Sequence, residues 1–287
     1  MSRDVPRIAV LPNGRKLGYR PGRILLTDLI WPLGMPEGIE GQTLADLRPE
    51  DHLLVYPRKT LHLRPGFGTR AKVSIMVVEP SVIHGNHMRW LRYSHRRFHR
   101  VLTPHEELLN KVSNGLFYPF GSTWVPGWPS LDTTKTKMCS LIASAKRSQT
   151  GHRLRHEVVE RAQAAGLDLD VMGGGYAPFG KKSEGLAPYR YSVVIENVRE
   201  KNYFTEKLVD AILCKTVPIY WGCPNIAEFI NTDSMIICQS AEEIMAAMAA
   251  MSEEDYAARR PALDAAEAQA AHWGEDLRRA AELLRDG

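Results

Sequence analysis

The chain predicts an α/β fold of two Rossmann-like domains facing a central cleft, and three observations carry that reading. Short, strand-length apolar runs recur along its 287 residues with helix-length stretches between them, the alternation of a mainly parallel sheet. A Pro- and Gly-rich segment, VPGWPS at 125–130, interrupts the pattern near the middle. The stretch Tyr191–Trp221 spells out a complete strand–helix–strand unit. The boundary is placed at the interruption, so residues 1–128 form the first domain and 129–250 the second. Residues 251–287 form an Ala-rich, charged tail of helical period, with a break expected at Pro261.

In the first domain the predicted strands are Ile8–Leu11, Ile24–Leu26, His52–Tyr56, Val73–Val78, Phe98–Leu102 and Leu116–Tyr118. Residues 1–50 are otherwise poorly patterned. The run Val73–Val78 ends at Glu79-Pro80, which sets a carboxylate at the carboxyl end of a strand, where open α/β sheets hold their ligands. In the second domain the predicted strands are Met138–Ala143, Leu167–Val171, Ser192–Ile195, Val217–Tyr220 and Met235–Cys238. Between the last two strands of the 191–221 unit a helix is predicted over Glu206–Leu213. Thr205 is its N-cap, and Glu206 sits in the first turn, where a carboxylate suits the helix dipole.

Composition is that of a globular protein, 44% hydrophobic and 24% charged, so a sizeable core is available. A net charge of +4 fits an anionic ligand without calling for nucleic acid. Cys139, Cys214, Cys223 and Cys238 form no C-x-x-C pair and no zinc spacing, and read as buried thiols in a reducing compartment. No signal-peptide core and no membrane-span-length apolar run is visible, so the expected location is cytoplasmic.

The chemistry concentrates in YSVVIENVREKNYFTEKLVDAILCKTVPIYW, residues 191–221. A strand ends in Glu196-Asn197, and a helix opens on Tyr203-Phe204-Thr205-Glu206-Lys207. An amide, an aromatic ring, a carboxylate and an ammonium thus converge where a strand end and a helix N-terminus would hold a nucleotide. The apolar half (Val193, Val194, Ile195, Leu208, Ile212, Val217) is equally the core of any βαβ unit. The pattern resembles the donor-binding signature of glycosyltransferase family 10, the α-1,3/4-fucosyltransferases, of the soluble bacterial or viral type. The likeness is strong over about residues 138–230, weaker over 73–125, and absent before 70.

That resemblance implies the GT-B architecture and inverting transfer of fucose from GDP-fucose to a glycan hydroxyl. It requires a general base for the acceptor and positive charge on the departing diphosphate. By the resemblance Glu79 is the base, in a Glu-Pro context that lacks the family's intervening Ser. Lys207 supplies one charge on the diphosphate, and an Arg at the start of the helix after Ser144 supplies another. Counting from Val158, Val159 and Ala162 favours Arg155, with Arg153 the alternate. Glu206 is implied in contact with ribose or fucose hydroxyls, Asn197 with phosphate or sugar, and Tyr203 with the nucleotide. The base pocket is expected near Gly173–Tyr176. No cofactor or metal is required.

Other signals point elsewhere or stay open. Asp168-x-Asp170 matches a metal motif of other glycosyltransferases, but it lies inside a strand-like run where both residues face solvent equally well. Gly173-Gly174-Gly175 lacks the last Gly of a dinucleotide fingerprint, with Pro178 in its place. The basic and aromatic stretch RWLRYSHRRFHR, Arg89–Arg100, reads either as a contact to a membrane-borne glycolipid or as an exposed helix whose aromatics reach the core. The acceptor expected is a GlcNAc- or galactose-type sugar of a cell-surface precursor such as lipopolysaccharide. The alternatives are a GT-B transferase using another nucleotide sugar and a non-catalytic module binding anionic polymer.

Overall fold

The computed structural model describes residues 5–287 and divides into two compact units. One runs up to Pro119 and includes Leu277–Gly287; the other is Phe120–Asp276.

The first unit holds β1 (Ile8–Val10), β2 (His52–Val55), α1 (Lys59–Leu63), β3 (Lys72–Met76), α2 (Ser81–Ser94), β4 (Val101–Thr103), α3 (Glu106–Leu109) and β5 (Gly115–Phe117). Its five strands pair in parallel in simple chain order, β1-β2-β3-β4-β5, with Leu53 opposite Val73 and Leu102 opposite Leu116. The run Ile24–Leu26 is not a strand. Pro21 and Gly22 turn the chain into short 3-10 segments, and Leu25 makes only an isolated bridge to Thr43. Leu26 still reaches the core, beside Leu17, Ile39, Leu44 and Leu47.

The second unit holds β6 (Lys137–Ile142), α4 (Thr150–Ala164), β7 (Asp170–Met172), β8 (Tyr189–Ile195), α5 (Glu206–Leu213), β9 (Val217–Trp221), β10 (Ile236–Ile237), α6 (Ala241–Ala249) and α7 (Glu253–Gly274). Its parallel sheet has the order β10-β9-β8-β6-β7, so the order reverses between β6 and β8. β8 and β9 are buried almost throughout, as strands covered on both faces must be, and this is why they read as unbroken apolar runs. Pro261 does not break α7. It removes one amide donor, while Tyr256, Leu263, Ala266 and Ala270 anchor the helix in the core on either side of it.

A last helix, α8 (Asp276–Asp286), packs with the first unit: its Arg279 donates to the Pro119 carbonyl at 3.0 Å and lies over the Tyr118 ring. Among the described residues no helix is long and apolar enough to cross a membrane. The four cysteines are free and buried, and burial lifts the thiol pKa of Cys214 to about 12 and of Cys223 and Cys238 to about 11.

Candidate active site

In the second unit the point where strand order reverses is where an open α/β sheet forms its ligand crevice. A cleft of about 910 Å³ lies there. It is lined by Ser144 and Lys146 after β6, His152 and Arg155 of α4, the end of β8 with Asn197, and Glu206 and Lys207 opening α5. Trp124–Gly127, Leu131 and Phe179–Ser183 complete it. Five basic side chains (Lys146, Arg155, Lys181, Lys182, Lys207) line it against one acid, Glu206.

The α5 end of the site is built around a buried carboxylate. Glu196 has no exposed surface; its Oε1 accepts from the Thr205 backbone N–H at 2.8 Å and its Oε2 from the Thr205 hydroxyl at 2.8 Å. Thr205 in turn caps α5, its Oγ1 accepting from the Lys207 N–H. The Lys207 ammonium sits among three oxygens, at 3.0 Å from Thr205 Oγ1, 3.2 Å from Glu206 Oε1 and 3.7 Å from Glu196 Oε2. Burial pulls its pKa down, but Glu196 and Glu206 outweigh that and hold it above the usual lysine value. Burial likewise pushes the Glu206 carboxyl up, and Lys207 and Lys182 more than cancel it, so both groups are charged at neutral pH.

Across the cleft, α4 lies hard against the end of β8. A side chain at Gly151 would overlap the Glu196 carbonyl, and the Gly151 N–H donates to Asn197 O at 2.9 Å. One turn further along α4, Arg155, only 5% exposed, lies under the strand end. Its Nε and Nη2 donate to the Ile195 carbonyl and Nη2 also to Asn197 Oδ1 at 3.1 Å. The Nη1 group bonds no protein atom among the described residues, so one edge of the guanidinium remains to meet an anion.

Arg155, Asn197, Glu206 and Lys207 are thus brought together, as four of the residues singled out from the sequence. Arg153 is not with them: it is exposed on α4, turned back toward the carbonyls of Arg147 and Ser148. Tyr203 is 4% exposed and does not line the cleft. Nor does Gly173–Tyr176. Gly173, at φ +116°, packs against the Ala143 carbonyl where a Cβ would overlap, and the Tyr176 hydroxyl meets His156 at 2.6 Å. The lining passes through Phe179–Ser183 instead. Asp170 is engaged by Lys137 and the Tyr189 hydroxyl, both at 2.7 Å. Among the described residues no three His, Cys, Asp or Glu side chains form a metal-binding group.

Lys182 and Trp124 were not visible as site residues in the sequence. Buried Asp210 of α5 gathers both: its carboxylate accepts from Lys182 Nζ at 2.8 Å, from the Thr123 hydroxyl at 2.5 Å and from the Trp124 N–H at 3.1 Å. Lys182 then lies 5.0 Å over the Trp124 ring, at a cleft mouth where Trp124 is 65% exposed.

Glu79 lies in the first unit, exposed, in the turn between β3 and α2, and the cap position of α2 falls on Pro80. Two imidazoles grip its backbone. Its N–H donates to His84 Nδ1 at 3.2 Å, and its carbonyl accepts from His105 Nε2 at 2.9 Å. Beneath them His62 meets Ser94 Oγ at 2.9 Å and His87 at 3.0 Å. Burial, then the neighbouring His87, lowers the pKa of His62 to about 4 and of His84 to about 3, and burial with Lys72 lowers His52 to about 4. The unfolded chain takes up these protons near pH 6.5, so folded stability is full above that value and falls as pH drops toward 4. Each well-buried histidine of this set is expected to cost roughly 2 kcal/mol at pH 5. Urea midpoints at pH 7.5 and pH 5 check this, and equal midpoints would count against it.

Two parallel α/β units, the second with a cationic crevice at its switch point, define the GT-B class of glycosyltransferase folds. Residues 132–259 match the family model for glycosyltransferase family 10 (fucosyltransferase) C-term. Over those residues the chain is similar to glycosyltransferase family 10 (fucosyltransferase). It is 40% identical over 55 residues to the alpha-(1,3)-fucosyltransferase FucT of Helicobacter pylori, covering 19% of this chain and 12% of that one. It is 33% identical over 108 residues to a putative fucosyltransferase-like protein of Arabidopsis thaliana, covering 36% and 21%. The chain therefore spans about a fifth or less of the length of these curated relatives. Among solved structures, an alpha1,3-fucosyltransferase with GDP superposes with TM-score 0.53 at 16% identity, over 91% of this chain and 83% of that one. TarM superposes with TM-score 0.53 at 10% identity, over 83% and 55%. At these identities the likeness concerns the fold.

Proposed function

We propose that this protein transfers fucose from GDP-fucose to a glycan hydroxyl with inversion. The observation that carries the reading is the crevice itself: five cations and one carboxylate at the switch point of a family 10 domain, a charge balance suited to a nucleoside diphosphate. Arg155 offers its Nη1 edge and Lys207 its ammonium to the diphosphate, whose charge grows as the glycosidic bond breaks. Glu206, held ionised, accepts hydrogen bonds from donor hydroxyls, and Asn197 braces Arg155. Glu79 is the proposed base that takes the acceptor proton as the hydroxyl oxygen attacks the anomeric carbon and GDP leaves. The proposed acceptor is a GlcNAc- or galactose-type sugar of a cell-surface glycan precursor.

Solved structures at 10–16% identity share only the fold with this chain, which does not choose the donor, so the donor must be read by binding. Calorimetric titration with GDP-fucose, GDP-mannose, UDP-GlcNAc and GDP is expected to rank GDP-fucose first. Glu79→Gln should keep that affinity while transfer falls about 10²–10⁴-fold, the span of general-base catalysis. A protein that binds no GDP compound would defeat the fucosyltransferase reading.

A further inference from the structure

The first unit carries a surface that the proposed reaction does not use. Residues 52–105 contain ten Lys or Arg and one acid, Glu79, although the whole chain has 37 basic and 33 acidic residues. Arg89 and Arg92 lie on α2, and Arg96, Arg97 and Arg100 follow directly on it. That helix is apolar on two opposite sides. Met88 and Leu91 are buried against the core, while Val82, Ile83, Trp90 and Tyr93 are 61%, 44%, 45% and 87% exposed. At 100° per residue those four fall within about a third of the helix circumference, a single outward stripe. Leu63, at the end of neighbouring α1, adds an apolar side chain 69% exposed.

Arg89 and Arg96 are exposed and pair with no carboxylate among the described residues; Arg92 is held by Glu107 at 2.8 Å. A helix with one side in the core and an aliphatic and aromatic stripe on the other, flanked by unneutralised arginines, has the make-up of an interfacial membrane contact. Trp and Tyr favour the headgroup level, and Arg favours anionic lipid.

We infer that this face of α2 docks on a lipid bilayer bearing anionic headgroups. Charge argues against a second copy of the chain, since two such faces would repel. The aliphatic residues argue against nucleic acid, whose phosphates would leave Val82, Ile83 and Leu63 uncovered. The inference stands on the surface alone and does not depend on the donor or on Glu79.

Co-sedimentation with vesicles tests it, using phosphatidylcholine alone and phosphatidylcholine mixed with phosphatidylglycerol. The protein is expected to partition onto the mixed vesicles only, and to leave them at high salt. Arg89→Ala with Arg96→Ala should weaken partitioning about 25-fold, about fivefold for each charge. Trp90→Ala with Tyr93→Ala should weaken it about tenfold or more, by removing the inserted rings. Arg89, Arg96 and Tyr93 are exposed, so the arginine variant should keep the native unfolding midpoint. Trp90 also stacks on His62, so Tyr93→Ala alone serves as the second variant if the double change lowers the midpoint. All should keep native GDP-fucose binding. That control separates failure here from failure of the donor reading. Equal partitioning onto both vesicle types overturns the inference. So does unchanged vesicle binding in Trp90→Ala/Tyr93→Ala; heparin binding by that same variant would then identify a general polyanion surface.

Discussion

Replacing Lys207 by alanine is expected to lower kcat/KM for a GDP-linked donor by about 10²–10³-fold, the scale of one lost donor to developing negative charge. Binding of GDP itself should weaken in parallel, because in the proposed reaction the ammonium meets the diphosphate before and after transfer. The same change also disturbs the fold. Lys207 Nζ lies 3.7 Å from fully buried Glu196 and 3.2 Å from Glu206, so alanine leaves two carboxylates short of their nearest cation. Lys207→Arg separates the two effects. A guanidinium restores the charge and should recover most of the unfolding midpoint. Transfer should stay about tenfold or more below native, because a planar fork does not fit a seat shaped for a compact ammonium. The decisive number is the GDP dissociation constant of Lys207→Ala: a value equal to that of the native protein would remove Lys207 from the donor site.

What the sequence made legible was the part in which local pattern and tertiary role coincide. β8 and β9 are parallel strands buried on both faces, so they had to be continuous apolar runs, and α5 between them carries its cap, its first-turn acid and its apolar face within nine residues, 205–213. Arg155 was separated from Arg153 by helical phase against Val158, Val159 and Ala162, and the same phase is what turns it toward β8 and leaves Arg153 in solvent.

Other parts were hidden because nothing periodic marks them. Leu17, Leu26, Ile39, Leu44 and Leu47 form core from single residues set in irregular turns, so a strand at Ile24–Leu26 was inferred from composition where the backbone makes 3-10 turns. Lys182 and Trp124 enter the site because Asp210, on a helix whose apolar face dominates its pattern, reaches across to both, and the Glu206 carbonyl also accepts from Lys182 at 3.2 Å. Tyr203 shows the converse: an aromatic beside a binding motif was read as a ligand contact, yet its ring is buried, as most aromatic mass is.

Glu196→Ala is the second large expectation, and it concerns architecture before chemistry. Glu196 reads in the sequence as half of a Glu-Asn pair ending a strand; in the structure it ties the end of β8 to the start of α5. Both of its oxygens are spent on Thr205, 2.8 Å to the backbone N–H and 2.8 Å to the hydroxyl. Alanine leaves a buried N–H without an acceptor and Lys207 without one of its two carboxylates, losses that together amount to about 3–5 kcal/mol. For a unit of this size that is roughly a 10 °C fall in Tm. Glu196→Gln keeps an oxygen for the Thr205 N–H and should recover about half of the loss, while leaving Lys207 with less to hold it in place. Thermal unfolding followed by donor titration distinguishes the two roles. If Glu196→Gln folds near the native Tm but binds GDP about tenfold more weakly, the carboxylate orients the ammonium as well as the helix. If Glu196→Ala melts with the native protein, the tie between β8 and α5 is not what holds the cleft open to its ligand, and the geometry of Lys207 must be maintained by Thr205 Oγ1 and Glu206 instead.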